Sequence, residues 1–123
     1  MPGDFSRLGV NYVNVWPLPS GPITATLTLN TDVSIIAASA AGLSIFILQV
    51  SASNTSAVIT RLDLREGAAG TIKFSMALAA SGGGFVKRFE PYWKLPAATA
   101  LVGILGTAVT DVRVNIDFFI QAT

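Results

Sequence analysis

The sequence contains no cysteine and no histidine among its 123 residues. A disulfide framework is therefore excluded, and so are zinc or copper sites that need thiolate or imidazole ligands. Catalysis by a Ser-His-Asp or Cys-His arrangement is excluded for the isolated chain. The seven acidic residues form no recognisable carboxylate pair or calcium-loop pattern. The sequence predicts no catalytic residue, no metal site and no cofactor, and hence a protein that is not an enzyme.

Charge is also scarce. Only 12% of the residues are charged, against about 25% in a typical protein. The eight Lys and Arg residues are scattered and give a net charge of +1, so we expect no nucleic-acid partner. The mean hydropathy of +0.60 is high for a soluble monomer. Either the chain is bound to a membrane, or much of its surface is buried against copies of itself.

The longest stretch without charge lies between Asp32 and Arg61. Within it, Val33–Val50 spans 18 residues, which reaches the lower limit for a transmembrane helix. The alternative is two β-strands joined by small residues at Ala40–Gly42. Three serines, a glycine and a glutamine interrupt the apolar run, and Ile45–Val50 is rich in β-branched and aromatic residues. We favour the two strands and expect no membrane partner.

The N-terminal 22 residues differ from the rest of the chain. They hold four of the six prolines, which favour extended structure, and they are too aromatic for ordinary disorder. They also lack a positively charged region followed by an apolar one, so we expect no secretory signal and a cytoplasmic product. We predict that residues 1–22 form an extended arm that lies on a neighbouring subunit or partner, with an edge strand on its own domain as the alternative. The predicted contacts of the arm are Phe5, Arg7, Tyr12 and Trp16.

Residues 23–123 show the period-two alternation of β-strands. About eight short strands separated by turns predict an all-β domain, a single antiparallel β-sandwich or jelly roll that follows the arm. The candidate strands are Ile23–Asn30, Val33–Ala38, Leu43–Ala52, Ala57–Glu66, Thr71–Ala79, Gly84–Glu90, Ala98–Leu105 and Asp111–Gln121.

The alternation also predicts which side chains face the core. Arg61, Asp63 and Arg65 are expected to form a solvated outer face on their strand. The residues predicted to point inwards are Val58, Leu62, Leu64, Ile72, Phe74, Met76, Leu78, Val112, Val114, Ile116, Phe118 and Ile120.

The stretch "SGGGFVKRFEPYW" (Ser81–Trp93) combines glycines with cationic and aromatic residues. It lacks the spacing of a phosphate loop and precedes a strand rather than a helix. We interpret Gly82–Gly84 as a tight hairpin connection. Lys87 and Arg88 then fall on opposite faces of the next strand. Tyr92 and Trp93 either plug one end of the core or form an exposed aromatic surface for a sugar or a protein.

Two features predict a contact between subunits. Residues Ile45–Leu48 make both faces of one strand apolar, as expected where one face meets the core and the other a subunit. Phe119 lies on the otherwise polar face of the last strand. We therefore predict a subunit interface that includes Phe46, Leu48 and Phe119.

The second half of the chain carries a family resemblance. The order "SNTSAVITRLDLREG", "GTIKFSMALAASGGGFVKRFEPYWKLPAATAL" and "TDVRVNIDFFIQA" resembles small jelly-roll virion proteins of tailed bacteriophages, particularly capsid decoration (cement) proteins. The resemblance implies a homotrimer that binds the major capsid protein on the outer capsid surface of the virion and stabilises the shell. The alternative is a sugar- or receptor-binding jelly-roll module of a phage fibre or tail, which would use Tyr92, Trp93 or Trp16.

Overall fold

A computed structural model describes residues 20–123, which form eight β-strands and no α-helix. The predicted arm contacts Phe5, Arg7, Tyr12 and Trp16 lie outside the described residues. The strands are β1 (Ile23–Leu27), β2 (Val33–Ile36), β3 (Leu43–Asn54), β4 (Thr60–Glu66), β5 (Ile72–Leu78), β6 (Gly83–Lys94), β7 (Leu101–Leu105) and β8 (Val112–Ala122).

The strands form two four-stranded antiparallel sheets. Sheet I has the order β1-β8-β3-β6, and sheet II has the order β2-β7-β4-β5. This is the strand order of an eight-stranded jelly roll, a sandwich built from two Greek keys. The predicted all-β antiparallel sandwich is confirmed. Because Val33–Val50 forms β2, a loop and the first part of β3, the two-strand interpretation is confirmed as well. No helix within residues 20–123 is long and apolar enough to cross a membrane.

The core lies between the inner faces of the two sheets, as the alternation predicts. Every second residue of β8 is buried, from Val112 to Ile120. These side chains meet Leu62, Leu64 and Met76 of sheet II in one cluster. Burying an aliphatic side chain of this size stabilises a protein by about 1.5–3 kcal/mol, so this cluster supplies much of the driving force for folding.

Two facing predictions are wrong, and a third residue is covered although it faces the predicted way. Val58 is 47% exposed because β4 begins only at Thr60, which leaves Val58 in the preceding loop. Ile72 is exposed because a register shift between Leu64 and Arg65 places it opposite Arg65 on the outer side. Asp63 does face outwards, but it is only 3% exposed because neighbouring side chains cover it.

The glycine-rich connection has a structural role, although it is not a hairpin. It joins β5 of sheet II to β6 of sheet I and so crosses between the sheets. Gly82 has a φ of +102°, which favours glycine. A Cβ atom on Gly83 would lie 2.3 Å from the carbonyl oxygen of Ala79. Beyond the turn, Lys87 lies opposite Val50 and Arg88 opposite Gln49, so the two cations do face opposite sides.

Candidate functional site

A β-bulge in β3 organises the outer face of sheet I. The pairing of β3 with both β6 and β8 shifts between Ile47 and Gln49. Leu48 is the extra residue, so Leu48 and Gln49 both face outwards while Ile47 and Val50 stay in the core. A bulge of this kind re-aims side chains without breaking the sheet.

The edge strand β6 has more residues than β3 in the segment beside the bulge. Arg88 lies opposite Gln49 and Trp93 opposite Ile47. Between these two pairs, β3 contributes only Leu48, whereas β6 contributes the four residues 89–92. The surplus length of β6 must leave the regular plane of the sheet, and it forms a wall beside the bulge.

The bulge and the wall enclose a groove that we call the sheet I groove. It has a volume of about 330 Å³ and crosses the sheet at the level of the bulge. Arg88 Nε donates a hydrogen bond to Glu90 Oε1 at 2.8 Å, and both side chains are largely exposed. Among residues 20–123, no other side chain holds Gln49 or Asp117 by a hydrogen bond or ion pair. The lining residues are Gly21, Leu48, Gln49, Arg88, Phe89, Glu90, Pro91, Asp117 and Phe118.

An outer aromatic cluster, consisting of Phe46, Tyr92 and Phe119, lies on the same face. The rings of Phe46 and Phe119 stack with centroids 4.8 Å apart, and Tyr92 meets Phe46 edge-on at 5.0 Å. Lys94 Nζ lies 5.7 Å from the centre of the Phe46 ring. Phe46 is therefore buried, Phe119 is half-buried, and Tyr92 remains 45% exposed. The predicted subunit interface through Phe46, Leu48 and Phe119 stays a prediction.

Trp93 faces the opposite way from Tyr92. Its indole packs against the core, and its Nε1 donates a hydrogen bond to Glu66 Oε2 at 2.9 Å. Each of the two interpretations, a plug of the core and an exposed aromatic surface, therefore applies to one residue of the pair. Trp93 closes the core, and Tyr92 contributes to the surface. Trp93 also ends a row of aromatic rings with centroids 5.6–5.8 Å apart, in the order Phe85, Phe74, Phe89 and Trp93.

This aromatic row lies where the edge strands of the two sheets meet, at β5 and β6. Three apolar side chains of these two strands reach solvent, namely Ile72 opposite Arg65, and Phe85 and Val86 opposite Ala52 and Ser51, with Val86 64% exposed. We call these three residues the β5–β6 apolar surface. An edge strand with exposed apolar side chains favours pairing or packing with another chain.

A charged network covers the outer face of sheet II. Arg61 donates to Asp63 through Nε and Nη2 at 2.9–3.1 Å, and Ser75 donates its hydroxyl to Asp63 Oδ1. Burial by itself raises the pKa of Asp63, but these hydrogen bonds and the charges of Arg61 and Arg65 outweigh it. The pKa of Asp63 therefore lies below its ordinary value. The network stabilises a carboxylate and does not prepare a general acid.

The described residues 20–123 contain no group of three or more metal-ligating side chains. Sequence reasoning did not bring Gln49, Arg88, Glu90 and Asp117 together. Their proximity depends on strand partners and on a register shift, neither of which leaves a local pattern in the sequence. Pro91 is the one signal within the wall, since proline in a strand is typical of an edge or a bulge.

No protein-family model matches the chain, and no curated protein matches it. Among solved structures, the C-terminal domain of EclA, described as a sugar-binding protein, is similar with a TM-score of 0.39 and 11% sequence identity. The match covers 92% of this chain and 87% of that chain. The comparisons give no support for the resemblance to tailed-bacteriophage virion proteins beyond a β-sandwich architecture.

Proposed function

We propose that this protein is a non-enzymatic structural subunit of a virion. It would assemble as a homotrimer, bind the major capsid protein on the outer capsid surface and stabilise the shell. Its production in the host cytoplasm belongs to the same proposal. The observation that carries the proposal is the β5–β6 apolar surface. Three large apolar side chains are exposed there, along two strand edges that pair with no other strand of residues 20–123.

Apolar surface of this kind supports assembly for a physical reason. Ile72, Phe85 and Val86 are exposed to water. A neighbouring subunit that covered them would lower the free energy of the assembly by about 25 cal/mol per Å² of apolar area buried. The aromatic row supports Phe85, because its ring packs against Phe74 and Phe74 packs against Phe89. A stable interface buries about 800 Å² per partner, so these residues would form its centre and need further contacts around them.

The N-terminal residues would supply further contacts. Ser20 pairs with Phe119, and the Gly21 amide donates to the Phe118 carbonyl at 2.9 Å, so Ser20, the first described residue, lies beside β8. The 19 preceding residues could span roughly 60 Å if extended. Such a length would allow the arm to contact a neighbouring capsid subunit beyond its own domain.

The first test is the solution mass of the full chain, measured by light scattering on a sizing column. We expect a species of three times 12.8 kDa. The second test is co-sedimentation with purified capsids of the phage that encodes the protein, stripped of this subunit. We expect saturable binding and greater resistance of the capsid to heat. A monomer that does not bind these capsids would contradict the proposal.

The contribution of the arm is tested by deleting residues 1–19. This variant keeps Ser20–Pro22 and therefore preserves the contacts of Ser20 and Gly21 with β8. We expect loss of capsid binding with an unchanged circular dichroism spectrum. Capsid binding equal to that of the full chain would show that the arm has no such role.

A further inference from the structure

We propose that the sheet I groove is a binding site for a neutral glycan. The proposal does not depend on the virion function, because none of the residues that line the groove belongs to the β5–β6 apolar surface. The volume of the groove, about 330 Å³, lies within the range of small-ligand sites. The groove also collects four hydrogen-bonding side chains and an apolar wall in a small area.

The hydrogen-bonding groups suit a ligand with several hydroxyls. A hydroxyl donates one hydrogen bond and accepts two, so it needs acceptors and donors close together. Asp117 supplies a carboxylate acceptor, and Gln49 lies directly opposite it on β3 and supplies both an acceptor and a donor. Arg88 lies opposite Gln49 on the other side and adds donors. The three side chains therefore form one row across three neighbouring strands.

Within residues 20–123, these groups also have unused hydrogen-bonding capacity. Gln49 and Asp117 make no side-chain hydrogen bond with any other residue of the range 20–123. The Arg88–Glu90 pair occupies Nε and Oε1, and no other residue of the described range bonds the Nη groups or the second carboxylate oxygen. Hydrogen bonds from ligand hydroxyls to ionised groups of this kind are stronger than those between neutral groups.

The charge of the groove selects against acidic ligands. One guanidinium stands against the two carboxylates of Glu90 and Asp117, so the lining carries net negative charge. A phosphate or a sialic acid would be repelled, whereas a neutral hexose would not. Leu48 and Pro91 give apolar contacts for the C–H faces of a sugar ring, and Tyr92 follows Pro91 with its ring partly exposed.

The test begins with the full chain on a glycan microarray that presents neutral glycans together with their sialylated counterparts. We expect retention of neutral glycans and at least tenfold weaker binding of the sialylated ones. The neutral glycan with the strongest signal is then titrated by NMR against three variants. Gln49→Ala and Asp117→Asn are expected to raise the dissociation constant at least tenfold. Gln121→Ala, an exposed glutamine on β8 outside the groove, is the matched control and should bind as the wild type does.

Several results would overturn the proposal. They are the absence of any bound glycan, a preference for sialylated glycans, or binding that both groove variants retain. A parallel titration with Ca²⁺ addresses the other ligand that two carboxylates could attract, and a cation bound without any glycan would also overturn it. Thermal melting shows whether each variant is folded, and should Asp117→Asn fail to fold, Gln49→Ala, at a half-buried position, decides the outcome.

Discussion

Asn54 shows how a single buried polar side chain organises one end of the sandwich. Its Nδ2 donates to the carbonyl oxygens of Val58 and Leu78 at 2.8 and 3.3 Å. Its Oδ1 accepts from the backbone amide and the hydroxyl of Ser56 at 3.0 and 2.6 Å. Because the side chain is fully buried, water cannot replace these partners. Asn54 thus ties the end of β3 to the following loop and to β5.

We expect Asn54→Ala to lower the free energy of unfolding by about 2–3 kcal/mol. The substitution leaves several buried polar groups without partners, at a cost of roughly 1–3 kcal/mol each before relaxation. Urea denaturation measures the change. Ser53→Ala, the preceding residue on the opposite face of β3, is the control and should change stability by less than about 0.5 kcal/mol. Equal effects of the two substitutions would contradict this role for Asn54.

Asp63 predicts a dependence of stability on pH. Its pKa is held below the ordinary value in the folded protein, so folding favours the ionised carboxylate. This stabilisation is complete above the unfolded-state pKa of about 3.9 and is lost as the pH falls through the folded pKa. We expect Asp63→Asn to lower stability at pH 7 by roughly 1–3 kcal/mol, as for hydrogen bonds to a charged group. The variant should also lose less stability than the wild type as the pH falls below 4. Parallel curves of unfolding free energy against pH for the two proteins would refute this account.

At the scale of the strands, alternation together with turn residues predicts all eight elements, and alternation alone predicts the buried face of β8. It fails where the period breaks. Val58 fits the alternation of apolar residues in the sequence, but β4 begins two residues later, at Thr60. Ile72 precedes a register shift that local alternation does not reveal. Asp63 faces outwards as predicted, but its burial depends on Ser75 of the neighbouring strand and on Arg61 folding over it.

The β5–β6 connection offers a test at the same scale. Gly83→Ala would place a methyl group 2.3 Å from the Ala79 oxygen and 2.5 Å from the Ala79 nitrogen, and backbone atoms cannot move aside cheaply. We expect a loss of about 1–3 kcal/mol, the usual cost of overpacking. Gly84→Ala, whose nearest contact is 3.2 Å, should cost clearly less. Denaturation midpoints compare the two, and a more stable Gly83→Ala protein would exclude the predicted clash.

At the scale of the whole molecule, the sequence could not identify the surfaces that the fold creates. Sheet order brings β5 and β6, which are consecutive in the chain, to the edges of different sheets. Asp117 and Arg88 line one groove because their strands, β8 and β6, pair with the two sides of β3. Both features depend on partners distant in sequence. Composition did indicate excess apolar surface, although it could not locate that surface.

The β5–β6 apolar surface leads to a test of assembly with a closely matched control. Val86 is 64% exposed on β6, and Ile59 is 66% exposed in the β3–β4 loop. Replacing either with serine removes a similar apolar area from the surface and disturbs little of the core. If the β5–β6 surface forms the subunit contact, Val86→Ser should raise the dissociation constant of the oligomer at least about tenfold, which corresponds to 1.4 kcal/mol. Ile59→Ser should leave it unchanged. Sedimentation equilibrium over a concentration series measures both constants. An oligomer weakened by Ile59→Ser but not by Val86→Ser would place the contact at the β3–β4 loop instead.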